Sequence, residues 1–167
     1  PPAITAQPAS VTINQGQTTT LSVTATGTGL SYQWHSSGSP IAGATASTYA
    51  TGAAGTYAVR VSNSAGSVTS NPATVTVIVP PTIESCPISV TINQGQTTTL
   101  RVQANGSSLN YQWTLNGAPI AGATAAAYNT GTAGTYGVTV SNAAGSAACN
   151  SATVTVIVPP TITAQPA

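Results

Sequence analysis

The sequence predicts an all-β protein made of two tandem β-sandwich modules and the first strand of a third, and three observations carry that reading. The first is internal repetition. Val11-Thr-Ile-Asn-Gln-Gly-Gln-Thr-Thr-Thr-Leu21 recurs letter for letter as Val90 to Leu100, and the same step of 79 residues relates Trp34 to Trp113, Tyr57 to Tyr136 and Asn63 to Asn142. Pro1-Pro2 returns at the same step as Pro80-Pro81, and the whole opening Pro1-Pro2-Ala-Ile-Thr-Ala-Gln-Pro-Ala9 returns nearly intact as Pro159-Pro160-Thr-Ile-Thr-Ala-Gln-Pro-Ala167. Modules are therefore expected over 1–79 and 80–158, with 159–167 opening a further one. The second observation is strict alternation of apolar and hydroxyl side chains, the period of a strand with one buried face. The third is a turn signal every few residues, which divides each module into short strands, as a sandwich requires.

The elements follow in order. After the opening strand and the Asn14-Gln-Gly16 turn, Thr19, Leu21, Val23 and Ala25 alternate with Thr20, Ser22 and Thr24. Gly27-Thr-Gly29 then turns the chain into Ser31-Tyr32-Gln33-Trp34, where alternation puts Tyr32 and Trp34 on one face; Asn110-Tyr111-Gln112-Trp113 repeats it. These are the only two tryptophans in a chain with no Phe and no Met, so each is the largest apolar group available to seed a core. Beyond Gly52-Ala-Ala-Gly55, Tyr57, Val59 and Val61 alternate with Ala58, Arg60 and Ser62; past Ser64-Ala-Gly66, Ala73, Val75 and Val77 alternate with Thr74 and Thr76. Thr and Val favour strands, and no stretch has helical periodicity.

Composition narrows the function classes. Only 2% of the 167 residues are charged, namely Arg60, Arg101 and Glu84, against about a quarter in ordinary soluble domains. A net charge of +1 offers nucleic acid, anionic lipid or an acidic substrate no electrostatic footprint. Membrane insertion by this segment is not expected, because Thr, Ser, Gly, Asn and Gln interrupt every apolar run well short of the roughly 20 residues a spanning helix needs. The chain opens Pro1-Pro2 without the basic and apolar regions of a signal peptide, which places any export signal outside this segment.

Gly16-x4-Leu21-x-Val23, then Trp34, then Gly55-x-Tyr57-x-Val59-x-Val-x-Asn63 resembles strands B, C and F of an immunoglobulin-like domain, close to the I-set and its bacterial relatives. The resemblance covers both modules. It implies that Trp34 and Trp113 are the core tryptophans of strand C, and that Tyr57 and Tyr136 are tyrosine-corner residues bonding back to backbone at the E–F turn. The positions of the family's two inter-sheet cysteines hold Val23 and Val59, and Val102 and Val138, so valine against tryptophan replaces that disulfide. Between Trp34 and Tyr57 there is room for a short C′ at Ile41-Ala42 and a strand E around Ser47 to Tyr49, but hardly for a D strand.

Catalytic and metal chemistry find no residues to work with. Glu84 is the only acid, so paired-carboxylate chemistry is excluded, and His35 is the only histidine, expected on the solvated face one position past Trp34. Neither calcium nor zinc has a ligand set, and no cofactor is implied. Asn105-Gly-Ser107 matches an N-glycosylation acceptor and is read as a chance match.

Cys86 and Cys149 replace Gln7 and Ser70 at the 79-residue step, so both changed in one module. In the fold this resembles, the first strand runs beside strand G, which makes a bridge within the module feasible; a cross-link between chains and two reduced thiols are the alternatives. A disulfide would indicate an oxidising, extracellular or cell-surface setting. At the joint, Ile78-Val79 runs into Pro80-Pro81 and then Ile83 with no Gly/Ser spacer. Fixed prolines with Ile78, Val79 and Ile83 packed between modules would make a semi-rigid rod. The expected function is thus a structural rod: a surface stalk, adhesin shaft or fibre whose partners are neighbouring copies of the module, joined covalently or by self-association. The alternative is a binding module for carbohydrate, such as surface glycans, or for a cell-surface protein, carried beside a secreted enzyme or adhesin. No enzymatic activity is expected.

Overall fold

The computed structural model describes residues 1–149 and 151–163. It contains twenty strands in two compact units, one ending at Ile78 and the next beginning at Val79. The first unit holds β1 (Ala3–Ala6), β2 (Val11–Asn14), β3 (Thr19–Ser22), β4 (Thr24–Thr26), β5 (Ser31–Ser36), β6 (Ser39–Pro40), β7 (Thr48–Thr51), β8 (Gly55–Asn63), β9 (Gly66–Thr69) and β10 (Ala73–Ile78). The second repeats the set as β11 (Thr82–Ser85), β12 (Val90–Asn93), β13 (Thr98–Arg101), β14 (Gln103–Asn105), β15 (Asn110–Leu115), β16 (Ala118–Pro119), β17 (Ala127–Thr130), β18 (Gly134–Asn142), β19 (Gly145–Ala148) and β20 (Ala152–Ile157).

Each unit is a two-layer antiparallel sandwich apart from one parallel pair. In the first unit β1 pairs with β4 and β3 with β7, while the other layer runs β2-β10-β8-β5-β6 with β9 folded back on β8. β2 lies parallel to β10, with Val11 opposite Val75 and Ile13 opposite Val77. The second unit has the same order and register, Val90 opposite Val154 and Ile92 opposite Val156.

The opening strand is two strands, a division that alternation in the sequence does not show. Its first part joins one layer at β4 and its second joins the other at β10. The crossing residue is Pro8 in one unit and Pro87 in the other, both buried. Proline has no backbone N–H to lose where the chain leaves one ladder before entering the next.

The short strands after the tryptophans also sit differently from the sequence reading. The C′ strand is Ser39–Pro40, not Ile41-Ala42, because the hairpin closes immediately after Ser36 through Ser37 (φ 49°) and Gly38 (φ 87°). Positive φ at both central residues is the two-residue turn whose twist matches the flanking strands, and Asn116 (51°) and Gly117 (85°) form it in the second unit. The early closure sets the pairing at Ser36–Ser39 and His35–Pro40. Strand E is Thr48–Thr51 rather than Ser47 to Tyr49, and no D strand forms among the described residues. Thr161, Ile162 and Thr163, which copy the start of the opening strand, lie outside any strand, and 164–167 fall outside the described residues. A strand of this kind is defined by a ladder partner, and β1 and β11 find theirs in β4 and β14 of their own units.

Candidate functional site

Each core is assembled around its tryptophan by inward residues of both layers. Trp34 is fully buried, with Val59 directly opposite in register and Leu21, Val23, Val61 and Val75 in the same cluster. Its indole nitrogen donates to the carbonyl of Ala46 at 3.0 Å, so the one polar atom of the largest core side chain is satisfied. The second unit repeats this with Trp113 against Val102, Val138 and Val140, and with its indole donating to Ala125 at 2.8 Å. The four valines at 23, 59, 102 and 138 are each at most 5% exposed.

The corner tyrosines are buried and doubly engaged. Tyr57 donates its hydroxyl to the carbonyl of Ala53 at 3.0 Å and lies 3.1 Å from the hydroxyl of Thr51, which accepts the Ala53 N–H. Tyr136 bonds to the carbonyl of Thr132 at 3.0 Å and to the hydroxyl of Thr130 at 2.7 Å. Between tryptophan and corner tyrosine stands a third ring, unassigned by the sequence reading. Tyr49 lies 6.0 Å from Trp34 and 5.8 Å from Tyr57, and Tyr128 links Trp113 to Tyr136 at 6.0 and 5.9 Å. The signal for it is the alternation of Tyr49 with the inward Thr51, which puts both on the core side of strand E.

Gln33 and Gln112, which alternation sets on the face opposite the tryptophans, are half-buried and structural. The Gln33 amide nitrogen donates to the carbonyls of Ile41 at 2.7 Å and Trp34 at 2.9 Å, tying the chain after C′ to strand C. Gln112 does the same with Ile120 and Trp113, both at 2.9 Å. His35 is half-buried as well. Its Nδ1 sits 3.1 Å from the Gln33 carbonyl, and it lines an open groove of about 400 Å³ with Thr56, Ala58, Arg60, Thr69 and Pro72. The matching positions of the second unit are Thr114, Thr135, Gly137, Thr139, Ala148 and Ser151, with no cationic side chain.

Cys86 and Cys149 are bonded to each other across a Cα–Cα distance of 5.5 Å, joining the residue just after β11 to the residue just after β19. The first unit holds the same place together without sulfur. There the Gln7 carboxamide oxygen accepts the Asn71 N–H at 2.9 Å, and the Ser70 hydroxyl accepts from Val59 N–H and donates to the Asn71 carbonyl. Cys149 keeps the backbone bond of its predecessor, its N–H donating to Val138 as Ser70 donates to Val59.

The joint residues divide between the units. Ile78 ends β10 opposite Asn14, and its carbonyl accepts the Gln15 N–H. Val79 belongs to the second unit: its N–H donates to the Ser107 hydroxyl, and its carbonyl accepts from Ser107 N–H and the Asn142 side chain. Pro80 is half-buried, Pro81 buried, and Ile83 packs against the second core. Of the glycosylation-type triplet, Asn105 donates its amide to the Glu84 carboxylate and Ser107 is occupied as above.

Among the described residues no three His, Cys, Asp or Glu side chains gather as a metal site would require, and no helix is long and apolar enough to cross a membrane. All eight aromatic side chains are buried or half-buried.

No protein-family model and no curated protein matches this chain. Solved structures do. A three-immunoglobulin-domain structure of titin bearing a Glu-to-Ala mutation superposes with a TM-score of 0.77 at 22% identity, covering 99% of this chain and 69% of that one. An I-band fragment of titin gives 0.74 at 22% identity, covering 95% and 66%. Immunoglobulin domains 1–4 of Sidekick-1 give 0.73 at 18% identity, covering 93% of this chain and 48% of that one. The chain is a tandem of immunoglobulin-like β-sandwiches.

Proposed function

We propose that this chain is a segment of a structural rod in an extracellular repeat protein. The observation that carries the reading is the pairing of full structural duplication with the absence of a shared ligand apparatus. Every core ring, corner bond and turn recurs at the 79-residue step, whereas the charged residues, Arg60 of the groove among them, and the groove's His35 do not. Near-identical modules favour length and stiffness over a unique site, and such arrays are stabilised module by module. The three residues between the last strand of one unit and the first of the next leave no flexible spacer. The Cys86–Cys149 bond supports an oxidising compartment. The test is small-angle scattering and electron microscopy of the two-module chain and of longer arrays. A maximum dimension that grows by a constant increment per module supports the rod, and collapsed particles of independent modules overturn it.

A second reading, recognition of a ligand by the first module, is favoured by the groove between His35 and Arg60. Its test is direct: Arg60→Ala abolishes capture of any glycan or cell-surface ligand the wild-type chain retains, while a chain that retains none removes the reading.

A further inference from the structure

We propose that the Cys86–Cys149 bond makes the second module an extension stop, so that under tension the first module lengthens and the second does not. The inference deepens the rod reading, since it says how such a rod responds to load, but it rests on the position of one covalent bond in the chain.

Tension enters each module at its first residue and leaves at its last. In the second module the covalent path from residue 80 reaches Cys86, crosses the sulfurs to Cys149 and runs out to residue 158. Everything between the two cysteines, 63 positions apart, lies off that path. The loop so shielded contains β12 to β19, with Trp113, Tyr128, Tyr136 and the valines packed on them. Only 80–86 and 149–158 can be drawn straight. At 3.3–3.6 Å per residue these stretches reach about 60 Å. A domain of this size is itself roughly 35 Å across, so complete mechanical failure of the second module releases only about 25 Å.

The first module has the same strands and the same parallel β2–β10 pair, but its clamp at the corresponding place is hydrogen-bonded. The Gln7–Asn71 bond and the Ser70 hydroxyl give way once the strands part. Nothing then limits release, and residues 1–78 straighten to about 280 Å. Two modules of one fold thus differ nearly tenfold in the length they yield.

The experiment is single-molecule force spectroscopy on the whole two-module chain, held by its ends, in buffer without reductant. Each molecule is expected to show one long release of about 240 Å and one short release of about 25 Å. Cys86 is exposed, so dithiothreitol reaches the bond. It supplies two electrons and two protons, leaves as its own cyclic disulfide and yields the two thiols. Each molecule should then show two long releases. Cys86→Gln with Cys149→Ser installs the residues of the first module and should give the same pattern without reductant. Should that variant not fold, the dithiothreitol arm decides alone. The converse graft, Gln7→Cys with Ser70→Cys, should shorten the first release. Two long releases from the untreated chain overturn the proposal, as does a short release that persists after reduction. Either failure would leave the rod reading standing, because that reading is decided by how particle length grows with module number.

Discussion

The hydroxyl of Tyr57 donates to the carbonyl of Ala53 four residues earlier, at 3.0 Å, and thereby fixes the turn that brings strand E into strand F. The same oxygen meets Thr51, whose own hydroxyl accepts the Ala53 N–H, so the turn is closed from both sides. Tyr57→Phe keeps the ring and removes these bonds. It should lower the stability of the first module by about 1–2 kcal/mol, the cost of orphaning buried acceptors, and leave the second module's transition unchanged in a thermal melt. A variant as stable as wild type would show that the corner bond contributes nothing net.

Tyr49→Ala should be costlier. The ring bridges Trp34 and Tyr57, and its removal opens a cavity on the core side of strand E. A loss of roughly 3 kcal/mol is expected from chemical denaturation, and Tyr128→Ala should match it in the second module.

Val23→Asp should unfold the first module outright. The site is 5% exposed and belongs to the Trp34 cluster, and an unpaired carboxylate there has no compensating donor. A module of this size is stable by only about 4–12 kcal/mol, and a buried charge costs a comparable amount. The expected signature is loss of one of two transitions by calorimetry, since each unit closes its own core.

Reducing the Cys86–Cys149 bond should lower the stability of the second module by about 4 kcal/mol in the chain-entropy description, which for a domain of this length means roughly 20 °C in melting temperature. The first module, whose clamp is hydrogen-bonded, should not move. A mass measurement showing free thiols or a covalent dimer before reduction would contradict the bond itself.

Two-module chains should associate at high concentration. β7 and β17 each have one neighbour, β3 and β13, and present their other edge without lysine or any charged residue. Thr48→Lys with Ala127→Lys should disperse the assemblies in light scattering, and a wild-type chain that stays monodisperse removes the expectation.

Alternation, the 79-residue step and the two tryptophans determined the all-β fold, because they record which side of each strand is buried, and burial of apolar faces is a local property of the pattern. Ser37-Gly38, followed by Ser39-Pro40, has the composition of a turn, but composition does not fix its length, since one residue more or less changes the register of the following strand. The tertiary structure alone decided what depends on residues meeting from distant parts of the chain. It split the opening strand between two layers at Pro8, bonded Gln33 to the carbonyls of Trp34 and Ile41, and set Tyr49 between Trp34 and Tyr57. It also put Cys86 against Cys149, where the sequence had left a cross-link between chains and two reduced thiols as the alternatives. The physical reason is that alternation specifies a face, whereas the partner a side chain meets is specified only once the strands have paired and the layers have closed.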